Sequence, residues 1–354
     1  MVFGVPFRFV SFMRCALLAA LSAAPLCAQQ LTLEGQTGGF ITPTAYVVYT
    51  EKGHVFSHPA VGFHFIDASS VIGYIETVSV TEGFANRAEA GYTRSIHQYG
   101  DQPVSATTPL GLSNLWNYSG MNVFHGKVVA FKDGQFGPWM PGIAIGGLVR
   151  TNDHFVSGSA NKTLTGTDKS YTNGDVYIAV TKTWAKPPVP FLLNLGWKAT
   201  NGTIFGIGGQ STRFGGRFFG GLGIPLPLGH GIVAVPAAGF TQEPKTAVNL
   251  NTLLNAALYQ CEVSETACGP PASFPLMSAH IPTTLDYAVR VTQRDKPHFA
   301  FDIGVGQVAG NIGSIYVPNP FFSPIVPANG PPIVTTPVNL QARTVVGIGL
   351  SYRY

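Results

Sequence analysis

Residues 345–354, Val-Val-Gly-Ile-Gly-Leu-Ser-Tyr-Arg-Tyr, alternate in character at every step. In a strand, successive side chains point to opposite faces. Val346, Ile348, Leu350, Tyr352 and Tyr354 therefore share one face, and Val345, Gly347, Gly349, Ser351 and Arg353 share the other. An apolar and aromatic face backed by a small or polar one suits a strand with lipid on one side and a polar lumen on the other. The fold class implied is all-β: a transmembrane antiparallel up-and-down barrel.

Working upstream, the same alternation gives about twelve strands, within a range of ten to fourteen. They fall near 54–66, 71–81, 85–97, 121–132, 139–151, 174–184, 190–200, 213–226, 231–242, 283–293, 297–308 and 340–354. Only 251–260 (NTLLNAALYQ) has helical spacing, as a short helix within a loop. Short connections around 82–83, 133–134, 186–188, 227–229 and 295–296 follow every second strand. The intervening ones are mostly long: 98–120, 152–173, 243–282 and 309–339, with 67–70 the one short exception. Outer-membrane barrels have short periplasmic turns and longer external loops. An even strand count then leaves both ends of the barrel on the periplasmic side.

Residues 1–28 read as a signal peptide, with Arg8 and Arg14 ahead of an apolar run from Cys15 to Leu26 and Ala28 last before cleavage. Pro25 interrupts this run, which is too short for the ~20 apolar residues of a membrane-spanning helix. Residues 29–52 form a periplasmic N-terminal entry segment, and 53–354 form the barrel. Charged residues are 11% of the chain, against about 25% in ordinary globular domains, as expected where one residue in two faces lipid. Without Arg8 and Arg14 the net charge of +4 falls to near +2, too little to attract nucleic acid. The terminal aromatic, with apolar residues two, four, six and eight positions earlier, resembles the signal read by the barrel assembly machinery. The partners expected are that machinery, outer-membrane lipid and a small solute or glycan; the location expected is the bacterial outer membrane. Cys261 and Cys268, in a polar proline-flanked segment, suggest a loop disulfide in an oxidising compartment. A metal site there is the weaker reading, for want of further ligands at suitable spacing.

The alternation also assigns facing. Phe214, Phe218, Leu222 and Ile224 turn to lipid, and Arg213, Gly215, Arg217, Gly221 and Gly223 turn inward, with Phe219 a misfit on the inner face. A basic residue on the lipid face near the midplane costs ~2–4 kcal/mol, so charges belong inside. The pore-lining candidates are Arg87, Glu89, Lys127, Asp175, Lys198, Arg213, Arg217, Asp286, Arg290, Asp302 and Arg343. Barrels of about eight strands are filled by side chains, and those of sixteen to eighteen are open. Twelve falls between, so an open and a filled lumen both stand.

Residues 35–45 (GQTGGFITPTA) could bring glycine backbone close to a phosphate, but no strand-turn-helix context follows. A turn-rich segment tucked into the periplasmic mouth as a small plug is the better reading. This GGFITPTA run, with 174–184 (GDVYIAVTKTW) and 195–202 (LGWKATNG), resembles a family of bacterial outer-membrane barrels of unknown function that carry a GG-x-TP entry. In this chain both Phe40 and Ile41 separate Gly39 from Thr42. A weaker likeness is to barrels associated with exopolysaccharide production. Neither resemblance implies a catalytic residue.

His54, His58 and His64, with Ser57 adjacent, share one face of the first expected strand, and Asp153-His154 lies in an external loop. Either could serve a hydrolase, but no carboxylate in suitable register completes the first, and a solvated loop explains the second. The function expected is a non-enzymatic channel or transport component for small solutes or glycans, without cofactor or metal. The alternatives are an outer-membrane barrel hydrolase acting on lipid or peptide, and a structural or adhesive barrel with binding loops.

Overall fold

A computed structural model describes residues 30–68, 73–98, 119–152, 172–184, 190–202, 205, 210–244, 246–248, 277–279, 283–293, 298–309, 313–318, 333–338 and 344–353. The long antiparallel strands are β1 (Ala60–Asp67), β2 (Tyr74–Phe84), β3 (Ala88–Gln98), β4 (Ser119–Phe131), β5 (Gly142–Asn152), β6 (Asn173–Trp184), β7 (Phe191–Gly202) and β8 (Gln210–Gly223). A short β9 (Leu226–Gly229) pairs with β10 (Ile232–Thr241), which also pairs with β8. The chain then forms β11 (Thr246–Val248), β12 (Met277–Ala279), β13 (Thr283–Gln293), β14 (Phe299–Ala309), β15 (Gly313–Pro318), β16 (Ile333–Val338) and β17 (Thr344–Arg353). Each barrel strand pairs with its sequence neighbour, β10 pairs with β13, and β17 closes the ring against β1. The result is a closed twelve-strand barrel with no open edge, the only form in which strands can satisfy their backbone within lipid. The pairs β11–β12 and β15–β16 are separate hairpins in the two longest connections.

All twelve expected strands are present. The first begins at Ala60 rather than near 54, because Pro59 has no N–H to give a ladder. Residues 251–260, Cys261, Cys268, Asp153, His154, Arg343, Tyr354 and 1–28 lie outside the described residues.

The outer surface is apolar. Phe124, Ile145, Leu195, Phe218 and Ile303 point out from mid-strand positions and are each more than half exposed. Val346, Ile348, Leu350 and Tyr352 of β17 also face outward. A contiguous apolar band of this size would drive association in water; in a bilayer it is the matching surface. Outward-facing charges sit toward strand ends, as with Asp67 and Arg94 at the long-loop end and Lys182 at the short-turn end. Aromatic side chains gather at the short-turn rim, including the stacked pair Trp184–Phe191 (centroids 4.5 Å apart) and the edge-on pairs Phe56–Phe84 and Phe131–Phe136. Trp197 lies away from this rim, in the middle of β7.

Phe219 does face inward, and the register explains it. It stands opposite Gly196 on β7, where any Cβ would run into its ring. Its edge also meets the buried ring of Tyr177 at 6.1 Å. The missing side chain on β7 makes room for the aromatic on β8.

If the outer face meets lipid, Leu195→Arg should lower folding stability in bilayers by ~2–4 kcal/mol, as a basic group placed at mid-strand on that face. Urea titration of the refolded variant in lipid vesicles checks this. An unchanged midpoint would place Leu195 away from hydrocarbon.

Candidate functional site: a plugged lumen

The segment expected at the periplasmic mouth runs through the barrel. Residues 30–50 bond to Thr81 on β2, Glu89 on β3, Lys127 on β4, Arg150 on β5 and Thr181 on β6. They also bond to Asn194 on β7, Arg290 on β13 and Ser351 on β17. Only a segment inside the ring can reach strands on every side of it. Tyr46 and Thr50 mark the short-turn end, where they bond Asp133 and Asn86. Leu33, Phe40 and Ile41 pack with Ile66, Ala68 and Ile75 at the far ends of β1 and β2.

The plug is turns rather than regular structure, and its glycines make this possible. Gly35 has φ +88°, and a Cβ there would also strike Thr93 on β3. Gly38 forms an isolated bridge with Pro43, and a Cβ on it would collide with the Thr42 carbonyl. Within the plug, Leu33 N–H donates to Phe40 O (2.9 Å), Gly39 N–H to Thr42 O (2.9 Å) and Thr44 N–H to Thr37 O (3.1 Å). The GGFITPT run is thus a folded knot of backbone whose remaining polar groups must be met by the barrel wall.

Charged residues of the inner face meet them. Glu89 and Lys127 are register partners, 3.0 Å apart and fully buried. The Glu89 carboxylate accepts from the backbone N–H groups of Thr37 (2.9 Å) and Val48 (3.1 Å) and from the Thr37 hydroxyl. The Lys127 ammonium donates to the carbonyls of Thr37 (2.9 Å) and Thr44 (3.0 Å). Between them the pair holds donors and acceptors from both arms of the plug.

Arg150 on β5 forms a second anchor. It donates to Glu34 of the plug, to Asn173 (3.0 Å) and through two nitrogens to Asp175 (3.1 and 2.8 Å). Arg290 forms the third, with both oxygens of its register partner Asp302 (3.1 and 3.3 Å) and the Gly38 carbonyl (3.1 Å). Asn194 donates to Pro43 O (3.0 Å) and accepts from Thr181 (2.8 Å), whose hydroxyl oxygen accepts from Ala45 N–H (2.7 Å).

Of the pore-lining candidates, Glu89, Lys127, Asp175, Asp286, Arg290 and Asp302 are buried in the lumen. Lys198 lies 3.9 Å from Glu243, and Arg217 donates to the Glu243 carbonyl (2.7 Å). Arg87 is instead exposed beside the turn before β3, reaching Val129 O, Ala130 O and Gln135. Arg213 belongs to β8, but its side chain is outside the described residues. Sequence reasoning missed Arg150 and Glu34. The parity of β5 places Arg150 inward with Ala144 and Leu148, but an inward leucine blurred the alternation that would have revealed it.

The expected histidine face is not formed. His54 and His58 are exposed and precede β1, whereas His64 is buried in the lumen, edge-on to Phe40 at 5.5 Å. Early termination of the strand at Pro59 separates them. Ser57 is used structurally, accepting from Gly83 N–H (2.7 Å).

A closed antiparallel ring, an apolar belt and a polar, charged interior define a transmembrane β-barrel of the outer-membrane type, here with an internal plug. Neither a protein-family model nor a curated protein matches the sequence. Among solved structures, the KdgM porin aligns with 8% identity and a TM-score of 0.39 over 83% of this chain and 99% of that one. The NanC porin aligns with 9% identity and a TM-score of 0.38 over 84% and 100%. A deletion mutant of the TodX monoaromatic hydrocarbon channel aligns with 9% identity and a TM-score of 0.36 over 84% and 90%. At that distance the shared feature is a barrel, and the fold stands on this chain's own strand pairing.

Replacing Lys127 with Met leaves Glu89 charged and buried without its cation, a change that costs about 3–5 kcal/mol. The urea midpoint of K127M should fall accordingly, and E89Q/K127M should recover part of the loss. A K127M protein as stable as the wild type would show that the pair does not hold the plug.

Proposed function

We propose that this chain is an outer-membrane channel or transport component for small solutes, with its own N-terminal segment as the restriction in the lumen. The observation that carries the reading is the way the plug is held. It is bound by charged side chains on β3, β4 and β5 and by Arg290 on β13, while the wall formed by β8, β10 and β13 is otherwise lined by small residues such as Gly221, Gly223, Ala237, Gly239 and Ala288. A barrel that served only as a scaffold would need no such gap. Between that wall and the plug lies a cavity of about 60 Å³. In this state the lumen suits ions and very small solutes, and passage of a glycan requires the plug to move aside.

The fold separates the first-strand histidines that suggested a hydrolase, Asp153-His154 lies outside the described residues, and nothing described in the loops favours an adhesive role. The channel reading is tested by single-channel recording on refolded protein in planar bilayers. The full chain should show a small unitary conductance, and a form lacking residues 30–48 a conductance several-fold larger. A shortened barrel that folds, by heat-modifiable gel migration, yet conducts no more than the full chain would remove the plug from the permeation path.

A further inference from the structure

Every charged group that grips the plug has a partner, but one inward carboxylate stands apart. Asp286 on β13 is 8% exposed, and its Oδ1 is buried with no hydrogen-bond partner. The register accounts for this isolation: its neighbours across the two adjoining strands are Gly239 and Gly306, neither of which has a side chain to donate. The carboxylate leans over Gly239, where a Cβ would collide with it. Arg290, two repeats of the pleat further along β13, is committed to Asp302 and to Gly38 of the plug.

Asp286 borders the cavity beside the plug. The charged residues around that cavity are Asp286, Asp302 and Arg290, so two carboxylates face one guanidinium, and the second must be neutralised by a proton or by a cation that the slot admits. A buried acceptor without a donor costs about 1–3 kcal/mol, unless whatever occupies the neighbouring space supplies one. A water's share of liquid volume is roughly 30 Å³, so a cavity of about 60 Å³ has room for about two waters. A partly hydrated monovalent cation fits this volume, and a sugar ring does not. Among the described residues no cluster of three His, Cys, Asp or Glu could hold a metal ion, so the site is short of ligands for a divalent ion.

The geometry points to a binding subsite for a small monovalent cation, of ammonium or potassium size, between the plug and the glycine-alanine wall, with Asp286 as its charged ligand. Thr42 on the plug side borders the same cavity and carries an uncharged hydroxyl oxygen. This deepens the channel reading by making the slot cation-selective: a fixed charge in a low-dielectric passage concentrates its counter-ions. The overall excess of Arg and Lys has no such effect here, because Lys127, Arg150 and Arg290 are engaged with carboxylates and plug carbonyls.

The test uses the refolded full chain and two measurements. In planar bilayers under a potassium chloride gradient, the wild type should prefer potassium over chloride, and Asp286→Asn should lower the permeability ratio at least 3-fold. In detergent, calorimetric titration with ammonium chloride should show binding that D286N weakens at least 10-fold. Ala237→Leu fills the slot without changing its charge, and should reduce both conductance and ammonium binding even if D286N does not fold. Ammonium binding that depends on Asp286 in a barrel that does not conduct would uphold the site and remove the channel reading. Conductance whose selectivity and ammonium binding ignore both substitutions would uphold the channel and overturn the site, as would a wild type that prefers chloride.

Discussion

Glu89 and Lys127 stand side by side on neighbouring strands, fully buried, and between them they hold the backbone of Thr37, Thr44 and Val48. The interior of a twelve-strand ring is too wide for side chains to meet across it as they do in an eight-strand barrel. A segment that fills this space brings unpaired peptide groups with it, and each unpaired group carries a desolvation cost. A carboxylate and an ammonium on adjacent strands answer that need, the one taking N–H groups and the other carbonyls. The hydrogen bonds are charge-assisted, which makes them stronger than neutral ones, and the two charges neutralise each other.

The remaining anchors follow the same rule, and their placement gives the lumen two unlike halves. Arg150 with Glu34 and Asp175, and Thr181 with Asn194, hold the plug against β5, β6 and β7. Across the lumen, β8 and β10 contribute glycine and alanine to the inner face, and Arg290 makes the contact to the plug from β13. Small residues leave a slot there, and the charge on its rim is that of Asp286. Glu89, Lys127 and Arg150 hold the plug without bordering the slot, whereas Arg290 and Asn194 do both.

Much of the barrel was legible in the sequence because a period of two is a direct consequence of strand geometry. Val346 to Tyr352, and Leu193 to Trp197, alternate as a half-buried surface must, and the lengths of the connections sorted themselves by side. What was obscured has identifiable causes. Pro59 shortened the first strand and dissolved the histidine face. Inward Leu148 masks the parity that places Arg150 inside, and inward Phe219 breaks the pattern because the space it fills is left by Gly196 on the neighbouring strand. The plug was the least readable part. Residues 30–50 have no periodicity, and their conformation depends on Gly35 and Gly38 turning the chain and on partners more than fifty residues away, such as Glu89 for Thr37. The candidate lumen charges could be listed from alternation, but not their pairing, which decides that Lys127 holds the plug and that Asp286 is left over.

Occupation of the lumen by residues 30–50 can be measured directly by cross-linking. A Cβ placed at Gly62 on β1 would lie 3.3 Å from the Leu31 Cβ of the plug, close to the separation of about 3.5–4.5 Å found in disulfides. In a chain with Cys261 and Cys268 changed to serine, Leu31→Cys and Gly62→Cys should form a disulfide in native outer membranes, seen as altered mobility of the unreduced protein and reversed by reductant. The account predicts near-complete bridging, with Leu31→Cys alone resistant to a membrane-impermeant thiol reagent. A folded barrel in which the two cysteines remain free, and position 31 reacts readily, would contradict it.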